Sequence, residues 1–179
     1  MTEREGALEG LAQRLQRACL GGGLTVAVAE SCTGGRIAHA ITLVPGSSGY
    51  FLGGVVSYAD QVKRDVLGVP SSVLEQHGAV SAQTAIAMAS GVRERLGADL
   101  AVSVTGVAGP DGGSAAKPVG LTYVGLADAA GTDVLRFQWD GDRVANIDAS
   151  AAAALGLLAE RAERSVAARG RPAGTEGDR

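Results

Sequence analysis

Leu24-Thr-Val-Ala-Val-Ala-Glu-Ser-Cys-Thr-Gly-Gly-Arg36 has the pattern of a strand, a tight turn and the start of a helix. The apolar run from Leu24 to Ala29 predicts a short buried strand of a parallel or mixed sheet. Polar residues and two glycines follow, and a helix is predicted from Arg36. This order leaves backbone N–H groups and the positive end of a helix dipole at the end of the strand. A hydroxyl group placed there would have oxyanion donors close by, so we expect the chemistry of the chain at this turn.

Helices and strands alternate through most of the chain, and a hairpin comes late. Ser81 to Leu96 is predicted as an amphipathic helix with Ser81 as its N-cap, and Leu100 to Val104 as a second buried strand. A hairpin of two strands and a long final helix follow, which together predict a three-layer α/β domain with helices on both faces of a mixed β-sheet. The other predicted elements are helices over 5–20, 36–43 and 71–77, a short helix that carries Lys63 and Arg64 with Asp60 as its N-cap, an extended segment over 50–59, hairpin strands over 119–127 and 133–139, and a last helix to about 168.

The composition favours a single reduced, cytoplasmic domain. The chain has 179 residues, 46% of them apolar, which is enough for one domain over 1–169 with a disordered tail over 170–179. A net charge of −3 without a basic run argues against a nucleic-acid or membrane surface. The two cysteines suit neither a disulfide framework nor a metal site, and the N-terminus lacks the layout of a signal peptide. The Ala-rich faces of the long helices invite self-association, so a homo-oligomer is expected.

Ser31 has two interpretations. It is either a nucleophile on the strand-to-helix turn or the N-cap of the following helix, and spacing alone favours the cap. The motif is not a G-x-S-x-G elbow, and no Ser-His-Asp order is visible. His39 and His77 have the positions of packing or capping residues, so a serine nucleophile would need a base other than histidine.

Lys63 is the candidate for that base, because a lysine partly desolvated in a cleft can lose its proton near neutral pH. Tyr58 lies at the end of the preceding strand, where its hydroxyl could relay or orient a proton. The alternative is an ordinary surface lysine and a half-buried strand tyrosine. Cys32 is a second candidate nucleophile near a helix N-terminus, although the role of a small buried hydrophobe is favoured for it.

A second Gly-rich loop, Thr105-Gly-Val-Ala-Gly-Pro-Asp-Gly-Gly113, follows the strand at Leu100 to Val104. Both Gly-rich segments lie at the carboxyl ends of strands, so we expect them to share one cleft. The second loop either wraps a phosphate or ribose with its backbone donors or is simply mobile. Ser47, Ser48 and Arg143 could add phosphate contacts, and Arg143 could instead pair with a neighbouring aspartate.

Nine short blocks follow one another along the chain: Ala29-Glu-Ser-Cys-Thr-Gly-Gly35, Pro45-Gly-Ser-Ser48, Gly53-Gly54, Tyr58 with Lys63, Leu67-Gly-Val69, His77-Gly-Ala-Val-Ser81, Thr105-Gly-Val-Ala-Gly-Pro110, Lys117-Pro-Val-Gly120 and Gly141-Asp-Arg143. This ordered set resembles the CinA C-terminal domain family over roughly residues 7 to 165. The resemblance implies a three-layer α/β fold. It also implies hydrolysis of nicotinamide mononucleotide to nicotinic acid mononucleotide and ammonia, without a metal or organic cofactor.

Carried over position by position, the resemblance makes Ser31 the nucleophile, activated by Lys63 and Tyr58. It also implies a nucleotide site lined by ten residues. Many relatives have a basic residue soon after Gly-Asp-Arg, where this chain has Asn146-Ile-Asp148. A second hypothesis is a non-catalytic nucleotide- or partner-binding module of the competence/damage-inducible CinA type. The ten nucleotide-site residues that the family resemblance implies are Glu30, Thr33, Gly34, Gly35, Ser47, Ser48, Thr105, Gly106, Gly109 and Arg143.

Overall fold

The fold is described by a computed structural model over residues 3–169. The tail predicted at 170–179 lies outside the described residues. The elements in chain order are α1 (Glu3–Gly22), β1 (Val26–Glu30), α2 (Arg36–Leu43), a 3₁₀ turn (Ser47–Gly49), β2 (Phe51–Val56), α3 (Asp60–Asp65), α4 (Ser71–His77), α5 (Ala82–Leu96), β3 (Leu100–Gly106), β4 (Leu121–Asp128), β5 (Gly131–Gln138) and α6 (Arg143–Arg169).

The five strands form one mixed sheet in the order β2-β1-β3-β4-β5. β1 runs parallel to both of its neighbours, β2 and β3. β4 is antiparallel to β3 and forms the predicted hairpin with β5. The carboxyl ends of β1, β2 and β3 therefore meet at one edge of the sheet, where ligands bind in folds of this kind.

Helices cover both faces of the sheet, which confirms the predicted three-layer α/β fold. Alternate residues of β1 point to opposite faces, because the side chains of a strand have a period of two. Val26 and Val28 pack into the core formed with α1, α2 and α6. Ala27 and Ala29 pack into the second core, formed with α5 and the segment after α3. The turn that follows β1 is therefore attached to a strand that is buried on both faces of the sheet.

The Ala-rich faces of the long helices are used within the chain. α1 and α6 pack against each other, and Ala151, Ala154, Ala159 and Ala162 of α6 are fully buried in the core. These four alanines therefore pack within the chain, and the homo-oligomer stays a prediction.

Several local predictions can be checked against the backbone. Ser81 caps α5, and its hydroxyl oxygen accepts a hydrogen bond from Thr84 N as predicted. Asp60 is not a cap, because α3 begins with it and Ala59 holds the N-cap position. Thr105 and Gly106 still belong to β3, where pairing with β4 extends the strand beyond the predicted Val104. The second Gly-rich loop therefore begins at residue 107.

Candidate active site

A cleft of about 270 Å³ lies at the edge of the sheet where β1, β2 and β3 end. Its volume is near the lower end of ordinary small-molecule sites, which span about 300–1,000 Å³. Segments from five parts of the chain meet here: the turn after β1, the end of β2 with α3, the loop before α5, the loop after β3, and the start of α6. The lining residues are Ser31, Cys32, Tyr58, Lys63, Ala79, Val80, Thr105, Gly106, Val107, Ala108, Gly109, Asp111, Gly112 and Arg143.

The turn after β1 is held by Glu30, which is 1% exposed. Its carboxylate accepts hydrogen bonds from three backbone N–H groups at the start of α2, those of Gly35 (3.0 Å), Ile37 (3.1 Å) and Ala38 (2.9 Å). Gly34 and Gly35 have φ values of 60° and 102°, a left-handed conformation that favours glycine. Glu30 therefore neutralises the N-terminus of α2, and these amides are not free to bind a substrate.

Ser31 is consequently not the N-cap of α2. The N-cap position belongs to Gly35, and the capping carboxylate comes from Glu30. Sequence spacing alone could not show this. Glu30 lies five residues before Gly35, and its carboxylate contacts the start of α2 only because the turn between them folds the chain in a particular way. Of the predicted substrate contacts, Glu30, Gly34 and Gly35 shape the turn behind the cleft, and neither they nor the Thr33 side chain is among the residues that line it, so their contact with a substrate stays a prediction.

We expect Glu30→Gln to lower the free energy of unfolding by about 2 kcal/mol. The change removes a buried carboxylate that accepts three hydrogen bonds and places an amide donor against backbone donors. Chemical denaturation followed by circular dichroism measures the effect. Glu75→Gln on α4, an exposed position, is the control and should change the stability by less than about 0.5 kcal/mol. Equal stability of the Glu30 variant and the wild type would contradict the capping role.

Ser31 is fixed by its backbone but keeps an uncommitted hydroxyl. Its N–H donates to Val104 O of β3 (2.9 Å), and its carbonyl accepts from Gly34 N (3.1 Å). Its hydroxyl makes no hydrogen bond to any residue in the described part of the chain and faces the cleft. The backbone N–H groups of Cys32 and Thr33 donate to no carbonyl oxygen of the described residues, and the Cys32 N–H also interacts with its own thiol. The uncommitted hydroxyl is thus followed in the chain by two N–H groups that no carbonyl oxygen uses, and acyl transfer requires donors of this kind near the nucleophile.

Lys63 is buried in the same cleft, with its side chain 1% exposed. Its Nζ donates to the carbonyl oxygens of Ser57 (2.9 Å) and Tyr58 (3.1 Å). Burial lowers the pKa of Lys63, while the carboxylate of Asp60, 3.5 Å from Nζ, opposes the shift. The ammonium form has three N–H bonds for the two carbonyls and the Asp60 carboxylate, and loss of one proton would leave a lone pair that can act as a base. The predicted surface-lysine alternative is wrong.

Cys32 is a poor nucleophile in this structure. Burial raises the pKa of its thiol to about 12. Little thiolate exists near neutral pH, and the thiolate is the reactive form. Cys32 packs with the core, as the favoured interpretation of its sequence position predicted.

Tyr58 and Arg143 meet on the rim of the cleft. The Tyr58 side chain is exposed, and its hydroxyl accepts a hydrogen bond from Arg143 Nη2 (3.3 Å). Arg143 Nη1 donates to Gly109 O (2.6 Å), and no carboxylate of the described residues pairs with this guanidinium. Lys63 contacts the main-chain carbonyl of Tyr58 rather than its hydroxyl. The predicted proton relay through the Tyr58 hydroxyl is therefore not in place, whereas the predicted position of Arg143 at the site is.

The loop after β3 forms the opposite wall. Thr105 is buried, and its hydroxyl donates to Ala79 O (2.7 Å), which ties the loop before α5 to the end of β3. Gly106 sits so close to β4 that a Cβ there would lie 2.6 Å from Leu121 O, and Gly109 has a φ of 88°. The structure brings all three predicted residues to the cleft.

Ser47 and Ser48 lie away from the cleft. They form the 3₁₀ turn that precedes β2, and Tyr50 O accepts a hydrogen bond from Val26 N at the beginning of β1. Because β2 runs parallel to β1, its start lies at the edge of the sheet opposite the cleft. The structure therefore does not bring the predicted site residues Ser47 and Ser48 to this cleft.

Ala79, Val80 and Asp111 also line the cleft, although none of the three is a predicted site residue. A usable signal was present for the first two. α5 leads almost directly into β3, so the start of α5 must lie at the carboxyl edge of that strand. Asp111 belongs to the Gly-rich loop and had no signal of its own.

Over residues 3–169, no group of three or more His, Cys, Asp or Glu side chains is arranged to hold a metal ion. None of the helices in that range combines the length and the apolar character needed to cross a bilayer.

The fold and the cleft define an α/β domain with a polar site at the ends of its parallel strands. The CinA C-terminal domain matches residues 8–162, and the chain belongs to that family. A putative competence-damage inducible protein of Desulforudis audaxviator is 58% identical over 123 residues, 69% of this chain and 30% of that protein. A CinA-like protein of Geobacter sulfurreducens is 54% identical over 139 residues, 78% of this chain and 34% of that protein. The chain thus spans about a third of the length of these curated relatives.

Solved structures show the same fold. The competence/damage inducible protein CihA of Agrobacterium tumefaciens has a TM-score of 0.83 and 44% identity, with 88% of this chain and 97% of that chain covered. A CinA superfamily protein of Klebsiella pneumoniae has a TM-score of 0.84 and 31% identity, with 88% and 98% covered. The family assignment and the α/β fold therefore agree with the sequence analysis.

Proposed function

We propose that the chain is a serine amidohydrolase that converts nicotinamide mononucleotide to nicotinic acid mononucleotide and ammonia in the cytoplasm. The observation that carries the proposal is the shared cleft of Ser31, whose hydroxyl is uncommitted, and Lys63, whose amine is buried. A nucleophile and a desolvated amine at the carboxyl ends of parallel strands suit acyl transfer without a metal. The mononucleotide is the substrate that the family resemblance implies.

In the first half of the reaction, Ser31 Oγ attacks the carboxamide carbon and its proton passes to neutral Lys63 Nζ. The carbonyl oxygen becomes an oxyanion, and the backbone N–H groups of Cys32 and Thr33 are the donors available to hold it. The C–N bond then breaks. Lys63 returns the proton to the departing nitrogen, which leaves as ammonia, and an ester on Ser31 remains.

In the second half, a water molecule attacks the ester carbon and gives its proton to Lys63. The tetrahedral intermediate collapses, the C–O bond to Ser31 breaks, and Lys63 returns the proton to Ser31 Oγ. The products are a carboxylic acid and ammonia, and the enzyme regains its starting state. Lys63 serves as base and acid in turn, so its pKa must lie near the working pH, as burial favours.

The rest of the cleft suits a nucleotide-sized substrate with a negative charge. Arg143 lies on the rim and uses only two of its five N–H donors on Gly109 O and the Tyr58 hydroxyl. The phosphate of a mononucleotide is therefore expected on the side of Arg143 and Tyr58.

The proposal is tested by ammonia release from nicotinamide mononucleotide, nicotinamide riboside and nicotinamide. We expect the mononucleotide to have the highest kcat/KM and the riboside, which lacks the phosphate, to be at least about tenfold slower, because a charge-assisted contact to Arg143 is lost. Asparagine and glutamine serve as general amide controls and should give no ammonia above background. Equal rates for all pyridine compounds would contradict a mononucleotide site.

A further inference from the structure

Asp111 is a carboxylate at the cleft that the proposed reaction leaves without a role. It lines the same cleft as Ser31 and Lys63 and is exposed at its rim. Its side chain forms no hydrogen bond and no ion pair with any residue in the described range 3–169. An ionised carboxylate accepts hydrogen bonds and donates none. Both of its oxygens are therefore free to accept hydrogen bonds from donors on a ligand.

The two cations beside the Asp111 loop already have acceptors of their own. Lys117 belongs to the same loop, and its Nζ donates to the carbonyl oxygen of His77 (2.6 Å). Arg143 donates to the carbonyl oxygen of Gly109 (2.6 Å) and to the Tyr58 hydroxyl. Neither cation forms an ion pair with Asp111. The carboxylate is thus not used to neutralise a charge of the protein, which favours a role toward a ligand.

The loop that carries Asp111 is held in place by the chain around it. The N–H of Gly120 donates to the carbonyl oxygen of Val107 (2.7 Å), which closes the base of the loop. Two residues after Asp111, Gly113 packs so tightly that a Cβ there would lie 2.9 Å from the backbone nitrogen of Val119. A group presented by a fixed loop loses less conformational entropy when it binds. Asp111 is therefore suited to recognition rather than to general charge on the surface.

The order of groups in the substrate indicates which of them lies nearest this loop. Nicotinamide mononucleotide has its carboxamide, pyridinium ring, ribose and phosphate in that covalent order. The proposed reaction places the carboxamide at Ser31 and the phosphate beside Arg143. Arg143 donates to Gly109, and Asp111 follows Gly109 by two residues. The ribose is bonded to the phosphate, so we expect the ribose beside Asp111.

The vicinal hydroxyls are the ribose groups that suit a carboxylate. The 2′- and 3′-hydroxyls stand on adjacent carbons on the same face of the ring, and each can donate to one carboxylate oxygen. An acidic side chain that binds a ribose hydroxyl is a recurrent feature of nucleotide sites. The pyridinium ring is the other group that a carboxylate attracts, but its attraction comes from charge alone because the ring nitrogen carries no N–H.

We propose that Asp111 is a specificity-determining residue that accepts hydrogen bonds from the 2′- and 3′-hydroxyls of the substrate's ribose. The cleft then selects nucleotides with an intact diol, in addition to the carboxamide and the phosphate. This role rests on the proposed function, since the positions of Ser31 and Arg143 define the order of the substrate groups in the cleft.

Two cyclopentane analogues of nicotinamide mononucleotide test the contact. Both keep the phosphate and the charged pyridinium ring and lack a glycosidic bond, and only one has the two hydroxyls. Asp111→Ala should lower kcat/KM for the diol analogue by at least about tenfold, because hydrogen bonds to a charged group are lost. It should change kcat/KM for the analogue without hydroxyls by less than about twofold. Asp111 is exposed, so the melting temperature should stay that of the wild type.

Asp140→Ala is the matched control for the loss of one negative charge. Asp140 is exposed, precedes α6 and does not line the cleft. Its replacement should leave kcat/KM for both analogues within about twofold of the wild type, because solvent and salt screen an exposed charge. An equal loss for both analogues in Asp111→Ala would assign Asp111 to the pyridinium charge and overturn the diol contact. A wild-type rate with both analogues would overturn it as well.

Calorimetry with the same two analogues gives a readout that does not need turnover. A wild type that releases no ammonia from nicotinamide mononucleotide would refute the proposed function, whereas binding would still test Asp111. Binding of the diol analogue alone that is at least about tenfold weaker in Asp111→Ala would support the contact. Equal binding by the variant and the wild type, or no binding of either analogue to the wild type, would overturn it.

Discussion

Replacing Ser31 by alanine is expected to lower kcat/KM for nicotinamide mononucleotide by about 10⁴-fold or more, the scale seen when a hydrolase loses its nucleophile. Ser31 is held in place by its backbone bonds to Val104 and Gly34, while its hydroxyl bonds to no described residue. Its removal therefore takes away reactivity without breaking a structural contact. The melting temperature and the binding of the mononucleotide, measured by calorimetry, should stay close to those of the wild type.

Cys32→Ala is the matched control for this experiment. Cys32 is next to Ser31 and lines the same cleft, but burial raises the pKa of its thiol to about 12. The variant keeps the backbone N–H that is a candidate oxyanion donor. We expect its rate to stay within about tenfold of the wild type. An inactive Cys32→Ala enzyme combined with an active Ser31→Ala enzyme would assign the chemistry to the thiol.

Lys63→Met is expected to lower kcat by about 10³-fold, in the range by which general acid–base catalysis contributes. Methionine keeps the length of the buried side chain but cannot accept a proton. The pH profile gives a second readout, because the base must be neutral to act. Burial lowers the pKa of Lys63, so the wild-type rate should rise with pH through a value below that of an ordinary lysine. The Lys63→Met profile should lack this rising limb.

Arg64→Met separates the role of Lys63 as a base from a general loss of charge on α3. Arg64 is adjacent in sequence, exposed, and paired with Asp65 on the surface. Its replacement should leave both the rate and the pH profile unchanged. Circular dichroism is needed for the Lys63 variant, since the change also removes hydrogen bonds to the carbonyls of Ser57 and Tyr58. A folded Lys63→Met enzyme with an unchanged pH profile would contradict a base at this position.

Much of the fold could be predicted because its signals are local. The helix over Arg36–Leu43 stops before Pro45-Gly46, as the sequence indicated, and Ser81 caps α5 through its own hydroxyl. The two-residue connection between β4 and β5 is also a local turn. Such features depend on the spacing of apolar residues and on the residue types in turns, and both act over only a few residues of the chain.

The roles of individual site residues could be predicted less well, because they depend on distant contacts. Glu30 caps α2 through a carboxylate that reaches across a turn with two left-handed glycines. Ser47 and Ser48 lie away from the cleft because β2 pairs parallel to β1. The Tyr58 hydroxyl meets Arg143, which is 85 residues away in the chain. In each case the deciding fact is a strand direction or a tertiary contact.

The turnover of nicotinamide mononucleotide by the wild-type protein distinguishes a hydrolase from a domain that only binds nucleotides. Ammonia and nicotinic acid mononucleotide are measured together, per mole of protein, over time. We expect equal amounts of both products and many turnovers per chain. Tight binding of the mononucleotide by calorimetry, with no ammonia released, would contradict it and support a non-catalytic binding module.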